Sequence, residues 1–252
     1  MINKQKFALL YILSLIICFT NCISVRAQSL EGQIGMDNKL EPLPHKLRKG
    51  TKFDLSNLPA KGTTQDWICI PPWMAGTFHR ETQTSFSKHG PITITSRSLD
   101  DRQTGQQLDI RRQIWHHYTL PDIRTIEMPN YIEWQIITYI QPISTSQNKA
   151  VSLQRAITLD VDKKKQKIVQ AEITEQMHYS APDASGKILV DAYIRTFDQN
   201  GKKKNSQHSQ TEYFPVRPFT PINLDPQTGL DLKQDFKHYL ISHQLGFLVP
   251  PD

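Results

Sequence analysis

From about residue 74 the chain breaks into short runs in which β-branched and aromatic residues alternate with polar ones, the mark of strands with one buried face. Eight runs stand out, over about 74–86, 91–97, 106–118, 131–141, 150–161, 167–179, 187–198 and 206–216. Turn formers separate them: Lys88-His89-Gly90, 100–105, 144–148, 162–165, 182–186 and Asn200-Gly201. Connections this short join antiparallel neighbours, because parallel strands need long crossovers. The pattern predicts a mainly β fold whose successive strands pair as a meander.

The period changes after the strands. Leu232, Phe236, Tyr239, Leu240 and His243 recur at helical spacing, with Asp231 or Thr228 placed to cap the start and Gly246 to cap the end. One helix near 230–245 follows, and its apolar stripe is expected to cover the outside or one end of the β domain. About eight meandering strands and one C-terminal helix suit a single closed, antiparallel up-and-down barrel better than an open sheet with two long edges.

The beginning of the chain reads differently. Lys4 and Lys6 precede the apolar stretch Phe7 to Phe19, and Val25-Arg26-Ala27 supplies small residues before a cleavage point. Residues 1–27 are therefore expected to be a signal peptide removed before Gln28. Thr20, Asn21 and Ser24 interrupt the apolar run, which falls short of the roughly 20 residues of a membrane span. Localisation is expected to be extracytoplasmic (periplasm, lumen or secreted), with no membrane insertion after cleavage. Residues 28–63, rich in Gly, Pro and charge, read as an irregular leader able to wrap on the domain through Leu43, Leu47 and Leu58. Residues 64–252 form the β-barrel domain.

Half of the formal charge of +6 comes from Lys4, Lys6 and Arg26, so the mature chain carries a small, scattered positive excess. That gives no nucleic-acid footprint. Cys18 and Cys22 lie in the signal, leaving Cys69 without a disulfide partner and expected as a small buried hydrophobe. No nucleotide loop, nucleophile elbow or zinc pattern occurs, so no cofactor, metal or catalytic residue is assigned. His116 and His117 are adjacent on one strand and face opposite sides, which keeps them from chelating one ion.

Alternation places some charges on apolar faces. Arg112 and His116 ride with Leu108, Ile110, Ile114 and Tyr118; Arg155 with Val151, Leu153, Ile157 and Leu159; Glu175 with Val169, Ile173 and Met177; and Arg80 with Phe78. Buried charges need partners. One reading is a ligand pocket in which Arg80, Arg112, His116, Arg155 and Glu175 hold an anionic group. The other is an internal Arg-Glu-Arg network, or a bulge that turns one of them outward.

The first strand opens with Trp73-Met74-Ala75-Gly76-Thr77-Phe78, which resembles the Gly-x-Trp opening of lipocalins and related calycin barrels, with Phe78 where the tryptophan usually stands. The later helix sits where lipocalins place theirs. The resemblance, carried by Trp73, Gly76 and Phe78, implies a barrel whose interior takes a small hydrophobic or amphipathic ligand. Two functions follow from these readings: an exported non-catalytic barrel that binds a small amphipathic ligand, anionic ones included, or an extracytoplasmic interaction or assembly protein with a packed barrel and a protein partner. An enzyme would need a perturbed pair such as His116 beside Glu175.

Overall fold

The computed structural model describes residues 39–59, 64–87, 90–95, 101–226 and 228–251. The signal peptide and its cleavage point, together with residues 88–89 of the first turn, lie outside the described residues. Twelve strands run through the described chain: β1 (Thr64–Ile70), β2 (Gly76–Ser87), β3 (Gly90–Thr95), β4 (Arg102–Thr104), β5 (Gln107–Leu108), β6 (Ile114–Leu120), β7 (Asp122–Glu127), β8 (Tyr131–Thr145), β9 (Ala150–Asp162), β10 (Ile168–Pro182), β11 (Ile188–Asp198) and β12 (Lys203–Pro218). Helix α1 spans Leu232–Ser242.

The protein is mainly β, with antiparallel strands curled into a half-barrel and one helix near the C-terminus. The main sheet runs β3-β2-β12-β11-β10-β9-β8-β7, with β4 added beside β2. β3 and β7 are its two edges, so the expected barrel of about eight strands curls without closing among the described residues. The segment expected to continue the meander over 106–118 leaves it. β5 and β6 pair with β1 in a separate three-stranded sheet, β1-β6-β5.

Three hairpins in the main sheet share one device. Asp162, Asp183 and Asp198 each accept two backbone N–H bonds from the turn that follows, from Lys164 and Lys165, from Ser185 and Lys187, and from Asn200 and Lys202. An aspartate that ties its own turn fixes loop length and therefore register.

Residues 39–59 lie on one face of the sheet as a strap. Leu43 and Leu47 are buried there with Ile136, Leu159, Val161, Ile168, Ala171, Ile173 and Phe197, and Phe53 stacks on Trp134 with ring centroids 4.9 Å apart. The strap is part of the folded unit that spans residues 38–252.

The second core joins the small sheet to α1. Trp67 and Trp115 pack with Leu232, Phe236, Leu240 and Leu248. Asp231 caps the helix, accepting from the Gln234 N–H at 2.9 Å. The left-handed position after the helix is taken by Gln244, φ 62°, rather than by Gly246, which opens the short 3-10 turn Gly246–Leu248. Trp67 Nε1 donates to Asp235 Oδ2 at 2.8 Å, tying the helix to β1. Cys69 is exposed, contrary to the expectation of a buried thiol.

Candidate functional site

Register decides which side chains share a face. His178 of β10 lies opposite Ser152 of β9 and Ala192 of β11; Ala192 lies opposite Ser209 of β12, and Ser209 opposite Ser85 of β2. One row across five strands thus reads Ser152, His178, Ala192, Ser209, Ser85. Next to it on the same face runs Gln154, Gln176, Ile194, Gln207, flanked by Ala150, Ser180, Val190, Thr211 on one side and Ala156, Thr174, Thr196, Asn205 on the other. None of these positions carries a formal charge. Leu120 and Tyr118 of β6 pack on this face through Ile137 and Ala156.

Burial here falls on hydroxyls. Ser180, Thr196, Ser209 and Thr211 are each more than nine-tenths buried, with Ser209 only 3% exposed. Their hydroxyls make no hydrogen bond to any described residue. Nor are they among the sealed, unpartnered polar atoms, which belong to Trp73, His117 and Trp134 among the described residues. Each of these oxygens thus keeps a small contact with solvent while lacking a described hydrogen-bond partner. A close-packed interior would instead present apolar groups or hydrogen-bonded polar ones.

Two histidines within reach of the Arg102 charge are held below their ordinary proton affinity. Burial, and then the nearby Arg102 cation, pull His178 below its ordinary value. The same two causes, with a smaller push from His117, bring His116 down to about 4. His178 Nε2 lies 3.1 Å from Gln176 Oε1, and His116 Nδ1 lies 3.0 Å from Gln106 Oε1. A neutral imidazole offers one donor and one acceptor, like the hydroxyls and amides around it.

The residues singled out by alternation do not converge. Arg155 and Glu175 sit on the opposite face of the main sheet, where Glu175 lies between Arg155 of β9 and Arg195 of β11 at directly opposed positions. Arg155 Nε donates to Glu175 Oε2 at 2.8 Å, and the Arg195 guanidinium donates to Oε1. Burial would raise the Glu175 carboxyl, but the hydrogen bonds from Arg195 and Arg155 outweigh it and hold the group below the usual carboxylate range. This is the internal Arg-Glu-Arg network, already compensated without a ligand. Its second arginine, Arg195, was legible in the way it shares a face with Tyr193 and Phe197.

Arg112 is exposed in the turn that separates β5 from β6, with φ 64°. The run expected as one strand over 106–118 is broken there because Asp109, itself buried, accepts the N–H groups of Arg111 and Gln113 at 2.8 and 2.9 Å and the Trp115 indole N–H at 3.2 Å. Arg80 is half-buried. A bulge at Glu81 brings it opposite Tyr213, which puts it on the side of the sheet away from Glu175. His116 belongs to the small sheet. The pocket of five residues is therefore corrected: Arg80 and His178 share one face of the main sheet, and Arg155 and Glu175 the other.

The opening motif has structural work. Trp73 lies in the 3-10 turn Pro72–Met74, and Phe78 is buried. Gly76, φ 138°, admits no side chain, because a Cβ there would stand 2.7 Å from the Arg217 carbonyl oxygen.

Other surface features are less polar. Phe86, His208 and Tyr193 stack on one another across β2, β12 and β11 on the Glu175 face, at 4.9 and 4.7 Å between centroids. Rings stacked this way use their flat faces on each other. A groove of about 460 Å³ lies between the strap residues Leu55, Leu58 and Pro59 and the side chains of Ile123, Thr125 and Trp134. Among the described residues no group of three His, Cys, Asp or Glu side chains is placed to hold a metal ion, and no helix is long and apolar enough to cross a membrane.

No protein-family model, curated protein or solved structure matches this chain. Its class is accordingly given by the architecture alone: a curled antiparallel half-barrel with a strap and one helix.

Proposed function

We propose that this chain is an exported, non-catalytic binding protein that takes a small amphipathic ligand with its polar part on the His178 face. The observation that carries the reading is the set of buried hydroxyls of Ser180, Thr196, Ser209 and Thr211, none bonded to a described residue. Water occupies such positions until a ligand with matching donors and acceptors displaces it. Export rests on the N-terminal signal pattern, and a mature chain beginning at Gln28 is its direct check.

Native mass spectrometry of protein isolated from its own host tests the binding. The reading expects a retained small molecule that is released on unfolding and lost from the combined Thr196→Val, Thr211→Val variant. A clean apo mass from host material contradicts it.

A second reading, an interaction or assembly protein, is favoured by the exposed Ile110, Ile241 and Phe247 around the end of α1, with Arg111 lying 5.1 Å over the Phe247 ring. Retention of one stoichiometric protein partner, lost on Phe247→Ser, would support it.

A further inference from the structure

We propose that the polar part of the ligand is neutral and rich in hydroxyl groups, of the carbohydrate class; this rests on the binding reading above. The four rows around His178 contain serine, threonine, glutamine, asparagine, histidine and small apolar residues, and no Lys, Arg, Asp or Glu. Each hydroxyl, amide and neutral imidazole both donates and accepts. So does every hydroxyl of a sugar, and its hydrogen bonds to such a wall balance without a formal charge on either side.

Other ligand chemistries fit the wall less well. An apolar chain laid over it would displace water and leave the hydroxyls of Ser180, Thr196, Ser209 and Thr211 without partners, a loss on each. A polyanion would call for cations along the face. Of the nearby cations, Arg80 lies on β2, and Arg102 of β4 brings one charge close enough to act on His178, fewer than a polyanion laid along all four rows would need. Antiparallel strands about 4.8 Å apart turn these side chains into a regular two-dimensional grid, suited to several hydroxyls of one ring system at once. The neutral patch is bordered on its own face by the row of Thr158, Glu172 and Asp198 and by Arg80, and the opposite face of the same strands carries Leu153, Arg155, Glu175 and Met177.

Calorimetric titration of the mature protein with maltohexaose, chitohexaose and laminarihexaose as neutral probes, polygalacturonate as an acidic one and laurate as an apolar one tests the class. The expected result is saturable binding of at least one neutral oligosaccharide, weakened tenfold or more in Thr196→Val, Thr211→Val, with the melting temperature unchanged or raised. Ser209→Ala, which removes a single oxygen, should weaken the same probe and keep the native circular dichroism. Failure of all three neutral probes at millimolar concentration while polygalacturonate or laurate binds overturns the carbohydrate assignment and leaves the binding reading standing. Failure of every probe, together with a clean apo mass from host material, overturns both.

Discussion

The α-carbon of Gly201 lies directly against the backbone carbonyl of Leu40, and the Leu40 N–H donates to the Gly201 carbonyl oxygen at 2.8 Å. A methyl group on Gly201 would overlap that carbonyl, and φ of 78° disfavours any other residue there. The β11–β12 turn is therefore shaped to receive the strap. Gly201→Ala should undock residues around Leu40 and expose the core beneath Leu43 and Leu47. Limited proteolysis is expected to cut the variant within 39–59 under conditions that spare the parent. Leu47→Ala, which keeps the turn, should cost about 2–5 kcal/mol in chemical denaturation.

The Glu175 network predicts an ordered series of melts. Glu175 is 4% exposed, Arg195 20% and Arg155 43%, so Arg195 is the less solvent-screened partner. Arg195→Met should destabilise by about 3 kcal/mol, because it leaves a buried carboxylate with half its partners, and Arg155→Met by less. Adding Glu175→Gln to Arg195→Met should recover part of the loss. Equal, negligible losses for both arginine variants would show that Glu175 does not depend on them.

Acid should weaken the fold in two stages. His116 and His178 bind protons less readily in the folded protein than the ordinary value of 6.5 requires, because burial and Arg102 disfavour their charged forms. Between pH 6.5 and about 4 the unfolded chain takes up protons that folded His116 refuses, so stability present above pH 6.5 falls as the pH drops. For His116 the full effect is up to about 3 kcal/mol. Glu175 acts in the same direction lower down: its depressed folded value adds stability above the ordinary 4.5, lost as pH falls through the folded value. Melting temperatures from pH 7.5 to 4 should decline, and His116→Gln should flatten the upper part of the curve. A melting temperature that rises on acidification contradicts this assignment.

Asp235 holds α1 through Trp67 Nε1 and lies 3.8 Å from His117 Nε2. Asp235→Ala removes the acceptor of a buried indole N–H and should cost about 1–3 kcal/mol. Faster hydrogen exchange confined to α1 and β1 is the expected signature; exchange raised across the whole main sheet would mean the helix is not a separate contact.

Much of the main sheet was legible because its strands alternate cleanly between aspartate-tied turns: the runs at 150–161, 167–179 and 187–198 match β9, β10 and β11 closely. The 106–118 run misled because Leu108, Ile110 and Ile114 keep the alternation going through a turn that contains no glycine. β1, with Trp67-Ile68-Cys69-Ile70, falls within the expected β domain but ahead of the first counted run, and β7 is too short and polar to stand out. Bulges defeated the site. One at Glu81 moves Arg80 to the other face from Arg155, and no local signal marks it. The His178 wall escaped notice for a different reason: alternation was used to ask which charges join the apolar face, whereas the uncharged patch is visible only once β9, β10, β11 and β12 are set side by side.

A crystal structure of the mature chain purified from its own host without unfolding tests the central claim most directly. The account predicts density for a bound molecule within hydrogen-bonding distance of His178, Ser209 and Thr211. Host-purified protein whose wall holds no bound molecule, with those hydroxyls contacted only by protein atoms or water, would contradict it.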